Sequence, residues 1–212
     1  MIKSPDQIVG LAAMTVAEPD AALLGEVVRG ALRDDAAEVR TARAVPTGYA
    51  YTSIATGGLF RVAGTALTST GVRSWSVFVK VLHHPRHWQL IDLVPPAAAA
   101  DIQALFPWRE ELETRAQVLP VLPDGLRVPE IYRVADLGDD RLAVWMEDID
   151  VDDDPWLDET YARAAHLLAR LAARRLPGTA AGTSDLPPGL GVRKVVESRA
   201  PVLAGLVADD AV

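Results

Sequence analysis

The sequence predicts an α+β protein in which an antiparallel sheet comes first and helices follow. Four stretches rich in β-branched and aromatic residues lie within 37–82 and are separated by glycine-containing turns; they are 37–45, 49–55, 59–68 and 74–82. Two further strands, 127–137 and 141–148, flank the turn Gly138-Asp139-Asp140. After about residue 150 only helical patterns remain. We therefore expect a sheet of about five strands with one inserted helix, followed by the start of a helical domain.

Apolar residues at helical spacing predict the helices 19–33, 107–119, 158–176 and, more weakly, 192–207. The first helix carries its apolar stripe on Leu23, Leu24, Val27, Val28 and Leu32. The third carries Tyr161, Ala165 and Leu168 on one side, together with Leu171 or Leu167. The segment 83–101 contains three prolines and is expected to form a loop or short helical pieces. These patterns divide the chain into an N-terminal extension (1–36), a sheet domain (37–147) and a partial helical domain (148–212).

Composition excludes several classes of function. The 212 residues carry a net charge of −8, which argues against a nucleic-acid or anionic-membrane partner. The chain has no cysteine, so disulfides, thiolate zinc sites and cysteine nucleophiles are excluded. It shows no secretory signal and no run of about 18 apolar residues, and we expect a soluble, cytoplasmic protein.

The stretch WSVFVKVL, residues 75–82, contains a lysine inside a strand that is otherwise apolar. Alternation directs Trp75, Val77, Val79 and Val81 to one face and places Phe78, Lys80 and Leu82 on the other. Only three of the 21 basic residues are lysine, so a strand lysine is notable. Two interpretations of Lys80 are open. It is either a functional lysine whose ammonium has an acidic partner, or a lysine on an edge strand whose aliphatic part is packed and whose ammonium is exposed to solvent.

The helix 107–119 offers three candidate partners, Glu110, Glu111 and Glu113. On a helical wheel its core-facing stripe is formed by Trp108, Leu112, Ala116 and Leu119. Glu111 flanks that stripe and is best placed to lean over the sheet towards Lys80. Arg115, four residues further on, is a competing partner for Glu111.

Taken in order, these segments resemble the protein-kinase-like fold, and most closely the aminoglycoside phosphotransferase family of small-molecule kinases. The resemblance runs from about residue 50 to 175 and is carried by the order and spacing of short segments. They are VFVKVL around Lys80, WREELETRAQVL around Glu111, GLRVPEIYRV as the fourth strand, RLAVWMEDI as the hinge between lobes, and ETYARAAHLLARLA as the first long helix of the second lobe.

The resemblance implies a set of roles at an ATP site. Lys80 would contact the α- and β-phosphates, and Glu111 would hold Lys80 in place. The turn Thr56-Gly57-Gly58 would cover the phosphates, since glycine allows close backbone approach. The hinge backbone at Glu147, Asp148 and Ile149 would bind the adenine edge. The reaction would transfer the γ-phosphate of ATP to a hydroxyl of a small substrate. The sequence does not indicate which substrate this is, nor the oligomeric state of the protein.

The catalytic loop of such kinases, His-x-Asp-x-x-x-x-Asn, has no counterpart in these residues. The chain contains no asparagine, and its last histidine, His166, lies inside an apolar helix. We therefore expect no catalytic residue and no metal ligand here, with Mg²⁺ bound only through residues of a second lobe. The leading interpretation is the N-terminal part of a longer kinase. The alternatives are a non-catalytic nucleotide-binding or interaction module on this scaffold, and an unrelated α+β binding domain.

Two groups of residues, one acidic and one of histidines, have the spacing of metal ligands. Asp148, Asp150, Asp152 and Glu159 match the spacing of a calcium-binding loop, but Asp153 occupies the position that requires glycine. A solvated acidic linker is favoured there. His83, His84 and His87 could suggest a transition metal, but Pro85 prevents the regular helix that would align the first and last of them, and a surface loop is favoured.

Overall fold

The structure, a computed structural model, describes residues 8–9, 21–48, 53–150 and 155–175. It is α+β, with an antiparallel five-stranded sheet and several helices. The strands are β1 (Ile8–Val9), β2 (Glu38–Pro46), β3 (Thr56–Thr68), β4 (Gly71–His83), β5 (Ile131–Gly138) and β6 (Arg141–Glu147). The α-helices are α1 (Ala21–Leu32), α2 (Pro96–Leu105), α3 (Glu110–Glu113), α4 (Arg115–Val118) and α5 (Asp158–Arg174). Among the described residues, no helix is long and apolar enough to cross a bilayer.

The strands are arranged in the order β1-β2-β3-β4-β6-β5. All neighbours from β2 onwards pair antiparallel, and the two-residue β1 adds a parallel edge that the sequence analysis did not predict. The turn at Gly138-Asp139-Asp140 joins β5 to β6 as predicted, and all three residues have positive φ angles, of 74°, 53° and 53°. Strand β4 lies inside the sheet, between β3 and β6, so Lys80 is not on an edge strand.

Helix α1 covers one face of the sheet and supplies much of the core. Its predicted stripe is confirmed, because Leu24, Val27, Val28 and Leu32 are buried against the strands. The alternation predicted for β4 is also confirmed, and the same core contains Trp75, Val77, Val79 and Val81. Burying each such side chain contributes about 1.5–3 kcal/mol, which fixes both the register of β4 and the face that Lys80 occupies.

The end of α1 is tied to the β3–β4 turn by one carboxylate. Asp34 Oδ2 accepts hydrogen bonds from the backbone N–H and the hydroxyl of Ser69, at 3.0 and 2.8 Å, and Oδ1 accepts one from the Ala36 N–H at 2.9 Å. These bonds favour the ionised form, and those from Ser69 contribute most to lowering the pKa of Asp34 below its ordinary value of 3.8.

We expect Asp34→Asn to lower the melting temperature at pH 7, because an amide is a weaker acceptor for these three donors. Since the pKa of Asp34 is lowered in the folded state, its contribution is present above the unfolded pKa near 3.8 and is lost as the pH falls through the folded value. The difference between variant and wild type in thermal melts should therefore narrow from pH 7 to about pH 2.5. Asp35→Asn, at an exposed neighbouring residue, is the control. A difference that stays constant over this range would contradict the assignment.

The strand predicted at 49–55 is not present in its described part, residues 53–55. Residues 53–55 lie outside any strand, and residues 49–52 lie outside the described residues. Strand β3 begins at Thr56 instead, with a bulge between Thr56 and Gly58. Gly57 and Gly58 are therefore strand residues, and the turn predicted at 56–58 is wrong. The residues at the start of β3 pair with β4, which overrides the usual preference of glycine for turns.

The helix predicted at 107–119 is broken into α3, α4 and a 3₁₀ turn, Leu119–Val121. The break lies at Thr114, whose hydroxyl donates a 2.7 Å hydrogen bond to the Glu110 carbonyl and so competes with the helical pattern. The predicted stripe is consequently not a buried face, since Ala116 and Leu119 are exposed and Leu112 is only half-buried.

The chain forms two compact units, Met1–Val94 with Arg127–Pro155, and Pro95–Leu126 with Trp156–Val212. The first unit contains the sheet and α1, and the second contains α2–α5. Helix α5 is present as predicted. Of its predicted apolar side, Tyr161 and Leu168 are 60% and 58% exposed, whereas Leu167 and Leu171 are half-buried. Leu167 approaches Gly125. The segment after Arg175, with the helix predicted at 192–207, lies outside the described residues.

Candidate functional site

Lys80 lies in the middle of the sheet, on the face opposite to the core formed with α1. In β4 it stands opposite Leu59 of β3 and Val144 of β6, so the three side chains form a row across one face. Val144 is fully buried and Lys80 is half-buried. The neighbouring row on this face consists of Arg61, Phe78 and Met146. Within its own row the Lys80 ammonium emerges between apolar side chains, where its interaction with an anion is stronger than in water.

The residues Thr56, Gly57 and Gly58 lie next to the Lys80 row at the start of β3. Gly58 stands opposite Val81, one position beyond the pair of Leu59 with Lys80. A Cβ on Gly58 would lie 2.5 Å from the Phe60 ring, and one on Gly57 would lie 3.0 Å from His83 Nδ1. Glycine is thus used here for close packing within the sheet, beside the lysine. Whether this backbone also covers phosphates stays a prediction.

The predicted hinge residues lie at the end of β6, Glu147 as its last residue and Asp148 directly after it, and their side chains form hydrogen bonds and ion pairs. Glu147 Oε2 accepts hydrogen bonds from Arg127 Nη1 at 2.5 Å and from the Glu130 N–H at 3.2 Å, which lower the pKa of Glu147. Asp148 Oδ2 accepts from Arg61 Nε at 2.8 Å and from the Ser76 hydroxyl. Ile149, beside them, is 36% exposed. These carboxylates hold the strand ends, so adenine recognition by this segment would fall to its backbone.

The structure brings together Lys80, residues 56–58 and the end of β6 on one sheet. Glu147 stands opposite Val77, three residues from Lys80, a separation of about 10 Å along the strand. Glu111 is exposed in α3 and belongs to the second compact unit. The pair of Lys80 with Glu111 therefore stays a prediction.

The histidines near the end of β4 stabilise loops. His83 Nε2 lies 3.0 Å from the Ile54 carbonyl, and burial lowers the pKa of its imidazole. His87 contacts the β5–β6 turn through the Asp139 carbonyl at 2.7 Å and accepts from Arg141 at 3.1 Å. Among the described residues, no three His, Asp or Glu side chains form a group suited to a metal ion. Asp152, in the calcium-like pattern, lies outside those residues.

An open cleft of about 490 Å³ lies beside the end of β6. Its lining comes from the end of α1, from β4, from the segment before β5 and from the hinge: Ala31, Arg33, Ser76, Arg127, Val128, Glu130, Tyr132, Glu147 and Asp148. The sequence analysis identified only Glu147 and Asp148 of this set. No local motif connects Arg33 with Glu130, which lie almost a hundred residues apart, and only the fold reveals the cleft.

Comparisons of the chain with protein-family models, with curated proteins and with solved structures give no match in any of the three. The functional interpretation consequently rests on the geometry of the sheet and on the chemistry of its side chains. Within that geometry, the Lys80 row is the feature with the clearest chemical consequence, because it combines a half-buried cation with apolar neighbours in the middle of the sheet.

Proposed function

We propose that this chain carries the nucleotide-binding portion of an ATP-dependent phosphotransferase that moves the γ-phosphate of ATP to a hydroxyl of a small molecule. One observation carries the proposal: Lys80 lies on the third strand of the antiparallel sheet β2–β6, on the face opposite to α1. Protein kinases place their phosphate-binding lysine on the corresponding third strand, and a helix between the third and fourth strands supplies the glutamate that orients it.

The chemistry of phosphoryl transfer explains why these residues would matter. The clustered charge of ATP needs a positioned cation, and Lys80 offers one in the middle of the sheet, between Leu59 and Val144 of the neighbouring strands. Backbone at residues 56–58 would lie over the phosphates, and Glu111 would orient the ammonium. Mg²⁺ would arrive with ATP, and its protein ligands would have to come from outside the described residues.

The adenine ring would lie against the apolar surface next to Lys80. Phe78 and Met146 stand opposite one another in the row adjoining Lys80, on the side of the hinge. Backbone groups after β6, at 147–149, would bind the edge of the base, while the apolar side chains contact its face. In this arrangement Lys80 lies along β4 between the predicted hinge, where Glu147 stands opposite Val77, and residues 56–58, which stand opposite Val81 and Leu82.

The proposal predicts that MgATP raises the melting temperature and that Lys80→Met removes most of this shift. At a nucleotide concentration about 100 times Kd, binding would stabilise the fold by about 2.7 kcal/mol, or roughly 5–10 °C for a chain of this size. Methionine keeps the stem of Lys80 but not its charge. Differential scanning fluorimetry with and without MgATP measures the effect.

Arg40→Met is the matched control, because Arg40 is a cation on β2 whose side chain pairs with Glu38 at 3.7 Å, away from the Lys80 row. It should keep the full MgATP shift. The two variants must also melt near the wild type without nucleotide, which separates lost binding from lost folding. If the shift persists in Lys80→Met, Lys80 does not bind the phosphates and the proposal fails.

A non-catalytic nucleotide-binding or interaction module on the same scaffold is the second candidate. The observation that favours it is the complete absence of asparagine from the 212 residues, since the kinase catalytic loop uses asparagine to hold magnesium. A nucleotide-binding module also predicts the MgATP shift, whereas a module that only binds another protein does not. Transfer of phosphate from ATP to a hydroxyl acceptor distinguishes them, because only the phosphotransferase performs it.

A further inference from the structure

The open cleft beside β6 is distinct from the Lys80 row and contains one ion pair whose charged atoms are too far apart for a hydrogen bond. Most charges in the cleft are satisfied, since Glu147 is bound by Arg127 at 2.5 Å and Asp148 by Arg61 at 2.8 Å. The remaining charges are Arg33 and Glu130, whose nearest side-chain atoms are 3.7 Å apart. Their side chains are 85% and 55% exposed, so both can bind a ligand without first losing a buried partner.

Arg33 occupies a backbone position that usually belongs to glycine. It follows the last residue of α1 with φ 52°, in the left-handed region, and its N–H donates to the Gly30 carbonyl at 3.2 Å as the helix ends. A side chain other than glycine, asparagine or aspartate is unfavourable there, because its Cβ crowds the neighbouring carbonyl oxygen. Among the described residues, the Arg33 guanidinium makes only the long contact with Glu130, which does not compensate for this conformation. Strained backbone at residues other than glycine occurs at ligand-binding sites as well as at helix ends.

Tyr132 adds a polar group to the same wall. Its ring packs against Gly30 of α1, where an added Cβ would lie 3.2 Å from Cδ1, and this contact fixes the direction of the phenol. Burial, followed by the nearby charges of Glu130 and Glu147, raises the pKa of Tyr132, so the hydroxyl stays protonated and can donate. Ala31 and Val128 provide the apolar part of the lining.

We propose that this cleft binds a small zwitterion, a free α-amino acid with a short side chain. Its carboxylate would lie on the Arg33 guanidinium, its ammonium on the Glu130 carboxylate, and its side chain against Ala31 and Val128. Arginine and carboxylate form a planar, two-point contact. An amino acid places its opposite charges a few ångströms apart, which matches the 3.7 Å separation of Arg33 and Glu130. Arg33 and Glu130 are not among the residues proposed to bind nucleotide, although Glu147 and Asp148 border both sites.

The charge of the lining argues against a simple anion or a simple cation. An anion on Arg33 would lie near Glu130, and the neighbouring carboxylates Glu147 and Asp148 leave the cleft without excess positive charge. A cation on Glu130 would meet Arg33 in the same way. A zwitterion satisfies both groups at once, and its binding should exceed that of either half.

The test is an NMR titration of the whole chain with L-alanine, without nucleotide, and with acetate and methylammonium as the two half-ligands. We expect L-alanine to shift the amide signals of the cleft residues with a Kd of about 1 mM, and each half-ligand to bind at least about tenfold more weakly. Equal binding of acetate and L-alanine would overturn the proposal in favour of an anion site. No saturable shifts with L-alanine would also overturn it.

Two variants locate the site. Arg33→Gly should abolish L-alanine binding while raising the melting temperature by about 1–3 °C, because glycine relieves the left-handed backbone. Loss of binding in a more stable protein cannot be caused by misfolding. Glu130→Gln should weaken binding at least about tenfold, and Arg40→Gln, outside the cleft, should leave it unchanged. Wild-type affinity in Arg33→Gly would overturn the proposal.

Discussion

Gly64→Ala should destabilise the sheet by about 3 kcal/mol or more, one of the largest effects expected from a single methyl group in this chain. A Cβ on Gly64 would lie 1.9 Å from the carbonyl oxygen of Thr41 and 2.7 Å from its carbonyl carbon. Both atoms belong to backbone, so no side-chain rotation can relieve the contact. Thermal and urea unfolding should show a melting temperature about 6–12 °C below that of the wild type.

The close approach follows from an irregularity in the neighbouring strand. The register of β2 with β3 shifts between Val39 and Thr41, and this bulge brings the Thr41 carbonyl over Gly64. Thr41 is held in place there, because its hydroxyl accepts a 3.0 Å hydrogen bond from the Thr65 N–H and bonds to the Thr65 hydroxyl at 2.9 Å. The strand cannot move away without breaking these bonds.

Gly48→Ala is the matched control for Gly64→Ala. No heavy atom lies within 4 Å of a Cβ built on Gly48, so its effect should stay within about 0.5 kcal/mol. A Gly64→Ala variant as stable as Gly48→Ala would show that β2 can shift without loss, and that the bulge at Val39–Thr41 does not constrain the sheet.

Periodic features of the fold could be predicted from the sequence, because the pattern is carried by residues that are close together in the chain. Alternation placed Val77 and Val79 in the core and Lys80 on the opposite face of β4. The helical spacing of Leu24 and Val28 likewise predicted the buried side of α1. In both cases burial of apolar area dominates, and it depends only on which residues share a face.

Features that depend on pairing between distant segments could not be predicted. Gly57 and Gly58 suggested a turn, but their pairing with β4 makes them part of β3. The stripe on 107–119 required an unbroken helix, but the helix is broken at Thr114, whose N–H and hydroxyl both bond to the Glu110 carbonyl. The stripe was the reason to expect Glu111 to lean towards the sheet. Without it, only the resemblance to the order of elements in kinases supports this prediction.

The cleft shows the same limit for a candidate site. Arg33 and Glu130 become neighbours only because α1 packs across the sheet near β5, so neither residue stands out in the sequence. The positive φ of Arg33 could not be predicted from the sequence either, since the residue that usually indicates such a position is glycine.

Trp145→Ala should cost about 3–5 kcal/mol, because it removes the largest fully buried side chain among the described residues. Trp145 is 1% exposed and stands opposite Val79 in the centre of the sheet, where the strands flanking it leave little room for collapse. Unfolding monitored by circular dichroism should show the loss. An alanine variant as stable as the wild type would mean that this part of the core is not packed as described.

Trp145→Phe separates the packing of this ring from its polar atom. The indole Nε1 of Trp145 is buried without a hydrogen-bond partner in the part of the chain that the structure describes, and an unsatisfied buried donor costs about 1–3 kcal/mol. Phenylalanine leaves a smaller cavity than alanine and removes that donor, so the two effects oppose one another. We expect Trp145→Phe to lie within about 1 kcal/mol of the wild type. A loss as large as that of Trp145→Ala would show that the N–H is satisfied, for instance by a buried water, and that β6 is held by a polar contact as well as by packing.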